Sequence, residues 1–406
     1  MSTPERPALH RRLGTVDAVT IGLGSMMGAG VFVAFAPAAA AAASGLLIGL
    51  VMAAVVAYCN ATSSARLAAR YPQSGGTYVY ARERLGAFWG YLAGWSFISG
   101  KSASCAAMAL TVGYYLWPDW AHAVAVAAVV ALTAVNYAGI QKSALLTRAL
   151  VAVVLAVLAG VVVVVMGLGD VDAARLALRD DFSAGGVLQA AGLLFFAFAG
   201  YARIATLGEE VRDPAKTIPR AIPIALGITL VVYAAVAVAV LSELGSQTLA
   251  SATAPLADAV RAAGYPAVEP VVRAGAAVAA LGSLLALILG VSRTALAMAR
   301  DGHLPTALAA VHPRFGSPHR ADIAVGAIVA VVAAVVDVRS AIGFSSFAVL
   351  VYYAIANAAA FTLGRKVIPI AGMIGCLVLA FALPGPSVLA GVSVVLVGAL
   401  AYRLTA

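Results

Sequence analysis

The stretch GLGSMMGAGVF, residues 22–32, interrupts what otherwise reads as an apolar helix. Within it, Gly22, Gly24, Gly28 and Gly30 crowd into nine residues. Each glycine weakens a helix interior by about 1 kcal/mol relative to alanine. The stretch therefore opposes the rod that its surroundings favour. Those surroundings are very apolar: 63% of the 406 residues are hydrophobic, only 11% are charged, and the mean hydropathy is +0.99. Such a chain has too little polar surface to face water, so its solvent is lipid.

A membrane-crossing helix needs roughly 20 apolar residues. Hydropathy places about twelve such spans, near 15–42, 44–68, 87–112, 120–140, 144–168, 187–208, 220–242, 269–299, 321–337, 342–364, 367–383 and 387–403. The fold class expected is an all-α integral membrane protein of the cell membrane. The start, MSTPERPALHRR, reads as a polar tail and not as a cleavable leader. An even number of spans puts both termini on one side, and the charges test this. Nineteen of the 26 Lys and Arg fall on the side of the N-terminus and five on the other, while Lys101 and Arg203 lie within spans. That asymmetry assigns both termini to the cytoplasm. The net charge of +9 is thus a topology signal with some attraction to anionic lipid, and it excludes nucleic acid as a partner. Two links on the far side, 169–186 and 243–268, are acidic or amphipathic enough for short surface helices. The link after span 6, EEVRDPAKTIPRAIP, holds Pro214, Pro219 and Pro223, which mark a tight connection and a helix start.

The glycines of span 1 now acquire a reading. Gly24 to Gly30 sits at mid-depth, and a helix break there frees backbone amides and carbonyls. Unpaired backbone in hydrocarbon costs several kcal/mol per group, so it persists only against a cavity or a ligand. Amides at the start of the second half-helix, near Ala29, suit a carboxylate, and the freed carbonyls suit an ammonium group. Close packing by small residues is the alternative, and it is the better reading for Gly45 with Gly49 and for Gly86, Gly90 and Gly94. A nucleotide loop is excluded, because the spacing misses GxGxxG and no strand precedes it. The run from Gly94 to Gly100-Lys101-Ser102 has one residue too many for a phosphate loop. A weaker break signal recurs in span 6 at Ala197-Phe198-Ala199-Gly200, flanked by Phe195, Phe196 and Tyr201. Two interrupted spans at matching places in successive halves point to a secondary transporter's binding site.

Four separated motifs carry a family resemblance: GSMMGAGVF (24–32), YPQSGGTYVYARERLG (71–86), FFAFAGYARIATLGEEVRDPAKTIPRAI (195–222) and ARDGHLP (299–305). Together they resemble the amino acid–polyamine–organocation superfamily of permeases. The resemblance implies a fold like the bacterial leucine transporter, with two inverted five-helix repeats followed by two extra helices. The segments are then a tail (1–14), a first repeat (15–168), a link (169–186), a second repeat (187–364) and the two helices (365–406). It also implies that a substrate carboxylate meets the backbone from Ser25 through Met26, Met27, Gly28 and Ala29 to Gly30. The amine would meet carbonyls near Ile21 to Gly24 and Phe195 to Ala199, before Gly200, with Phe198 or Tyr201 as an aromatic lid. One departure stands out. Proton-coupled members carry a lysine in mid span 5, whereas here that span's only charge is Arg148, near its end.

Lys101 lies midway along span 3 among Ser99, Ser102 and Ser104. A mid-membrane cation is expensive and marks function by default. Two readings stand: it replaces the missing lysine as a proton-coupling residue, or it ties spans together through carbonyls and serines. Arg203, just beyond the second break, pairs with Glu209 or Glu210 or gates the inner vestibule. All seventeen Asp and Glu fall in tails, loops or span ends, which argues against a carboxylate proton relay and against an acidic pocket for cations. The substrate expected is therefore a neutral amino acid, with polyamines or cationic amino acids as the rival and a transporter-like sensor as a further alternative. A sodium site built on Ser283 or Ser292 stays open beside proton coupling, as do symport, exchange and the oligomeric state. Cys59, Cys105 and Cys376 sit in apolar runs without ligand spacing. With no HExxH, GxSxG or aspartate pair, neither an enzyme nor a metal or other cofactor is expected.

Overall fold

A computed structural model describes residues 13–71, 75–139, 144–205 and 210–405. Every regular element among them is helical. The first half comprises α1 (Thr15–Met26), α2 (Gly30–Val33), α3 (Phe35–Ala42), α4 (Leu46–Arg70), α5 (Thr77–Leu85), α6 (Ala87–Leu116), α7 (Ala121–Tyr137) and α8 (Ala144–Leu168). The chain continues through α9 (Ala184–Phe198), α10 (Ala202–Ala205), α11 (Pro214–Ser251), α12 (Pro255–Ala262) and α13 (Glu269–Arg300). It ends with α14 (His319–Val335), α15 (Val338–Phe361), α16 (Val367–Ala382) and α17 (Gly385–Thr405). Nine segments among the described residues are long and apolar enough to cross a membrane. Helices also stand at the other three expected places. They are α6, diluted by Lys101 and its serines, and the shorter α14 and α16.

The long helices alternate in direction, as their end contacts show. At the face holding Gly14, Leu13 pairs with Val211, Asp17 with Arg148, and Arg66 donates to the Gly364 carbonyl. At the opposite face Ser44 bonds Asp181, Arg273 reaches the Tyr115 carbonyl, and Arg339 reaches the Ala250 carbonyl. Both faces are sewn by groups from the helix ends.

Three boundaries differ from expectation. Helix α11 starts at Pro214, where a missing amide costs nothing in the first turn. It runs on to Ser251 with a kink at Gly245 (φ 70°), so Pro219 and Pro223 lie inside it. Glu243, expected in a link, is consequently inside a helix and only 8% exposed. Of the two links expected on the far side, 169–186 holds a short turn at Ala173–Leu176 and the start of α9, and 243–268 holds the end of α11, α12 and a short turn at Pro266–Val268. Helix α5 was not foreseen, because its sequence TYVYARERL has no apolar stripe to announce it.

The α5 helix is docked through its side chains. Asp301, just past α13, accepts from the Tyr78 hydroxyl at 2.5 Å and from Arg82 at 2.6 Å, and His303 Nδ1 lies 3.0 Å from the same hydroxyl. Burial, with the Asp301 carboxylate alongside, pushes the Tyr78 phenol up, so it stays a donor. Burial also holds the His303 imidazole below its usual range. Asp301→Asn is expected to loosen α5 at a cost of about 1 kcal/mol, since the ion pair is partly exposed. The check is a lowered apparent unfolding midpoint in detergent.

Candidate functional site

The α1 helix ends within the glycine stretch. Met27 leaves helical geometry (φ −81°, ψ 45°) while its amide still donates to the Leu23 carbonyl at 2.7 Å. The Gly28 and Ala29 amides donate to no backbone or side-chain acceptor among the described residues, and α2 begins at Gly30. The glycines also allow close approach. A Cβ on Gly28 would collide with Ser283 of α13, and one on Gly30 would lie 2.6 Å from the Ala197 Cα of α9. Helix interruption and tight packing, set out above as alternatives, are served by the same residues.

The second break is milder. Helix α9 stops at Phe198, Ala199–Tyr201 form a 3-10 turn, and α10 resumes at Ala202. This is a tightened turn and not the unwound stretch seen at Met27 to Ala29. Gly200 permits it to press on the first break, because a Cβ there would strike the Ser25 carbonyl oxygen. The two interruptions thus stand back to back in the centre of the bundle.

Side chains from four other helices occupy the freed carbonyls. The Tyr233 hydroxyl of α11 lies 2.6 Å from the Met26 carbonyl and 3.1 Å from that of Ala197, bridging both breaks. Ser283 of α13 donates to the Gly24 carbonyl at 3.1 Å. Lys101 Nζ of α6 and the Tyr353 hydroxyl of α15 both donate to the Ala199 carbonyl at 3.3 Å. Aromatic rings close over this set. Phe198 sits 5.1 Å from Tyr233, Tyr201 stacks on Tyr353 at 5.1 Å, and Phe195 meets Tyr353 edge-on at 5.7 Å.

Most of the residues singled out in the sequence meet here. Met26, Met27, Gly28, Ala29 and Gly30 are buried beside Ala199 and Phe198. The Ser25 hydroxyl, however, donates to the Ile21 carbonyl at 2.9 Å, so its contribution to the break is backbone. Ser283 joins the site, whereas Ser292 lies nine residues along α13, about 13 Å away, with its hydroxyl on the Ile288 carbonyl. Arg203 is half-buried in α10 and faces Glu210 and Arg293; Glu209 lies outside the described residues. Tyr233 and Tyr353 were missed. Each is a polar-tipped ring in an apolar span, and a hydroxyl in such a span needs a buried acceptor. Asp322 lies at a span end as expected, in the first turn of α14, and packing leaves it with no exposure at all.

The profile of the amino acid permease family matches residues 17–374. The chain belongs to the amino acid permease family. It is therefore a multi-pass membrane transporter of the amino acid–polyamine–organocation superfamily and not an enzyme. A transporter of Mycobacterium tuberculosis, described as uncharacterized, is 72% identical over 400 residues, covering 97% of this permease and 91% of the relative. A methylthioribose transporter of Bacillus subtilis is 27% identical over 98% of this chain and 94% of its own. A branched-chain amino acid permease of the same organism is 26% identical over 90% and 83%.

Tyr233 touches both breaks, so Tyr233→Phe isolates the bridge without removing the ring. Loss of a buried hydrogen bond costs about 1–2 kcal/mol. The variant is expected to insert and fold but to show an uptake rate lowered by roughly tenfold. Initial-rate uptake against the wild-type permease, normalised to protein, measures this.

Proposed function

We propose that this permease carries an amino acid across the cell membrane by alternating access, with the zwitterion held at the paired breaks. The observation that carries the reading is the pair of unclaimed amides, Gly28 and Ala29, beside carbonyls held only by side-chain donors. Amides suit the carboxylate, and the carbonyls of Gly24, Met26, Ala197 and Ala199 suit the amine once a side-chain donor yields its place. The branched-chain relative supports an amino acid cargo, although the methylthioribose relative shows that similar chains accept other small polar molecules. The finer architecture belongs to the same reading: twelve spans in two inverted five-helix repeats, two further helices, and both termini in the cytoplasm. Phe198 and Tyr201 are the proposed lid.

Lys101 is the proposed coupling residue. Its ammonium is 7% exposed and reaches the second break's Ala199 carbonyl. A proton gained or lost there alters what that carbonyl offers the substrate. The same positive charge disfavours cationic amino acids and polyamines. Ser283 and the Gly24 carbonyl are the oxygens nearest the break for a sodium ion, so the coupling ion is itself part of the test.

Counterflow in proteoliposomes provides that test. Labelled neutral amino acids are expected to exchange saturably, with arginine and putrescine competing poorly. Parallel uptake at two pH values, with and without sodium, identifies the coupling ion. Lys101→Met is expected to abolish the pH dependence of net uptake. Undiminished and still pH-dependent uptake by that variant would remove Lys101 from the coupling role, and absence of any amino acid counterflow would remove the transport reading.

A further inference from the structure

The paired breaks leave one buried ionisable group unused. Asp322 stands in the first turn of α14, has no exposed surface, and neither carboxylate oxygen has a hydrogen-bond partner. Its surroundings are few enough to name. Helix α13 presents Ser292 and Arg293. The Ser292 hydroxyl is turned to the Ile288 carbonyl, and Arg293 is an exposed side chain in no ion pair among the described residues. On α14 itself, His319 lies one turn earlier, with its Nδ1 buried and unpartnered. Helix α7 brings Tyr137, 6.0 Å from the His319 ring, and Thr133, whose unpartnered hydroxyl lies against Gly326 one turn beyond Asp322. His312, 5.3 Å from the His319 ring, completes the approach from the preceding loop. Helix α6 offers only Cys105 within an apolar wall that includes Val325 and Val329, and the turn Thr306–Ala309 offers no titratable group.

An ionised carboxylate cannot be sustained in such a place without a partner; it takes up a proton or acquires a cation. We propose that Asp322 is a proton-binding site, close to the face that the charge distribution assigns to the cytoplasm. It is a neutral acid while walled off, and it releases its proton when the neighbouring Arg293 guanidinium moves onto it. A metal ion is the poorer occupant. Arg293 already supplies positive charge nearby, and no group of three His, Cys, Asp or Glu that could hold a metal gathers there among the described residues. The path for the proton is short, since Arg320, two residues earlier, is exposed. The site lies on α14 against α7 and α13, apart from Lys101 and both breaks. Its coupling to transport rests on the permease cycle proposed above; the protonation itself does not.

Difference infrared spectroscopy on the full-length, solubilised permease reads the acid directly. The wild type is expected to show a protonated-carboxyl carbonyl band at neutral pH that Asp322→Asn lacks. If no band is lost in the variant, the proposal is overturned. Amide and neutral acid are nearly isosteric, so Asp322→Asn is expected to keep the wild-type unfolding midpoint at neutral pH. A drop of several degrees would mean that the carboxylate had been ionised and paired, which also overturns it. Arg293→Gln keeps the idea open to refutation if Asp322→Asn does not fold. Removing the cation is expected to carry the acid band to higher pH, and an unmoved band counts against the switch. In proteoliposomes, Asp322→Asn is expected to retain counterflow while the dependence of uptake on internal pH is shifted, Lys101 being left in place. Intact dependence refutes the transport role, whereas a wild type without counterflow sinks the permease reading and leaves the infrared result standing.

Discussion

A main-chain carbonyl or amide in the middle of a lipid-facing bundle must find a partner, and this requirement shapes the centre of the permease. Breaking α1 and the α9–α10 helix frees such groups at two places. The fold answers by pressing the breaks together through Gly30 and Gly200 and by drawing donors from α6, α11, α13 and α15 onto four carbonyls. Each of those long helices is thereby anchored to the breaks. Two amides, at Gly28 and Ala29, remain beyond the reach of this arrangement. Carboxylate oxygens brought from outside would suit them as acceptors, because no side chain among the described residues takes the place.

Charge then narrows what may be brought. Two like charges 6 Å apart at an effective dielectric of about 20 repel by roughly 3 kcal/mol, a factor of about a hundred in binding. Lys101, bonded to a carbonyl of the second break, sets that barrier against a second cation. No carboxylate among the described residues is paired with it to cancel the effect. A neutral side chain meets no such barrier. The proposed preference for a neutral substrate rests on where one ammonium group is held.

Much of this was legible in the sequence, for physical reasons. Long apolar runs have few ways to exist in lipid, so helix positions followed from hydropathy. The Gly24 to Gly30 stretch showed its break because glycines at that density conflict with helix propensity. The second break was fainter, since only Gly200 marks a turn that stays nearly helical. Tyr233 escaped notice because nothing local distinguishes a strapping tyrosine from a packing one; its partners lie 207 and 36 residues away. The burial of Asp322 was hidden for a related reason: its span-end position was legible, but the closure of neighbouring helices over that turn belongs to tertiary packing alone.

The contacts around the breaks also divide the halves into two groups. The first half of the first span, α1 and the residues before it, is tied to the far half of the other broken helix: Gly22 abuts Ile204, Ser25 abuts Gly200, and Leu13 pairs with Val211. The second half of the first span, α2 with α3, packs instead on α9, with Gly30 against Ala197. Neither half-helix of one span is therefore free to swing without its partner in the other. Asp17, bound to Arg148 of α8, adds the first group to a further helix. Tyr233 bonds across the division, since Met26 belongs to one group and Ala197 to the other. In the alternating-access cycle proposed above, the pivots would be Met27 to Ala29 and Ala199 to Tyr201 together, and a substrate competing for the two carbonyls that Tyr233 bridges would act where the halves are joined.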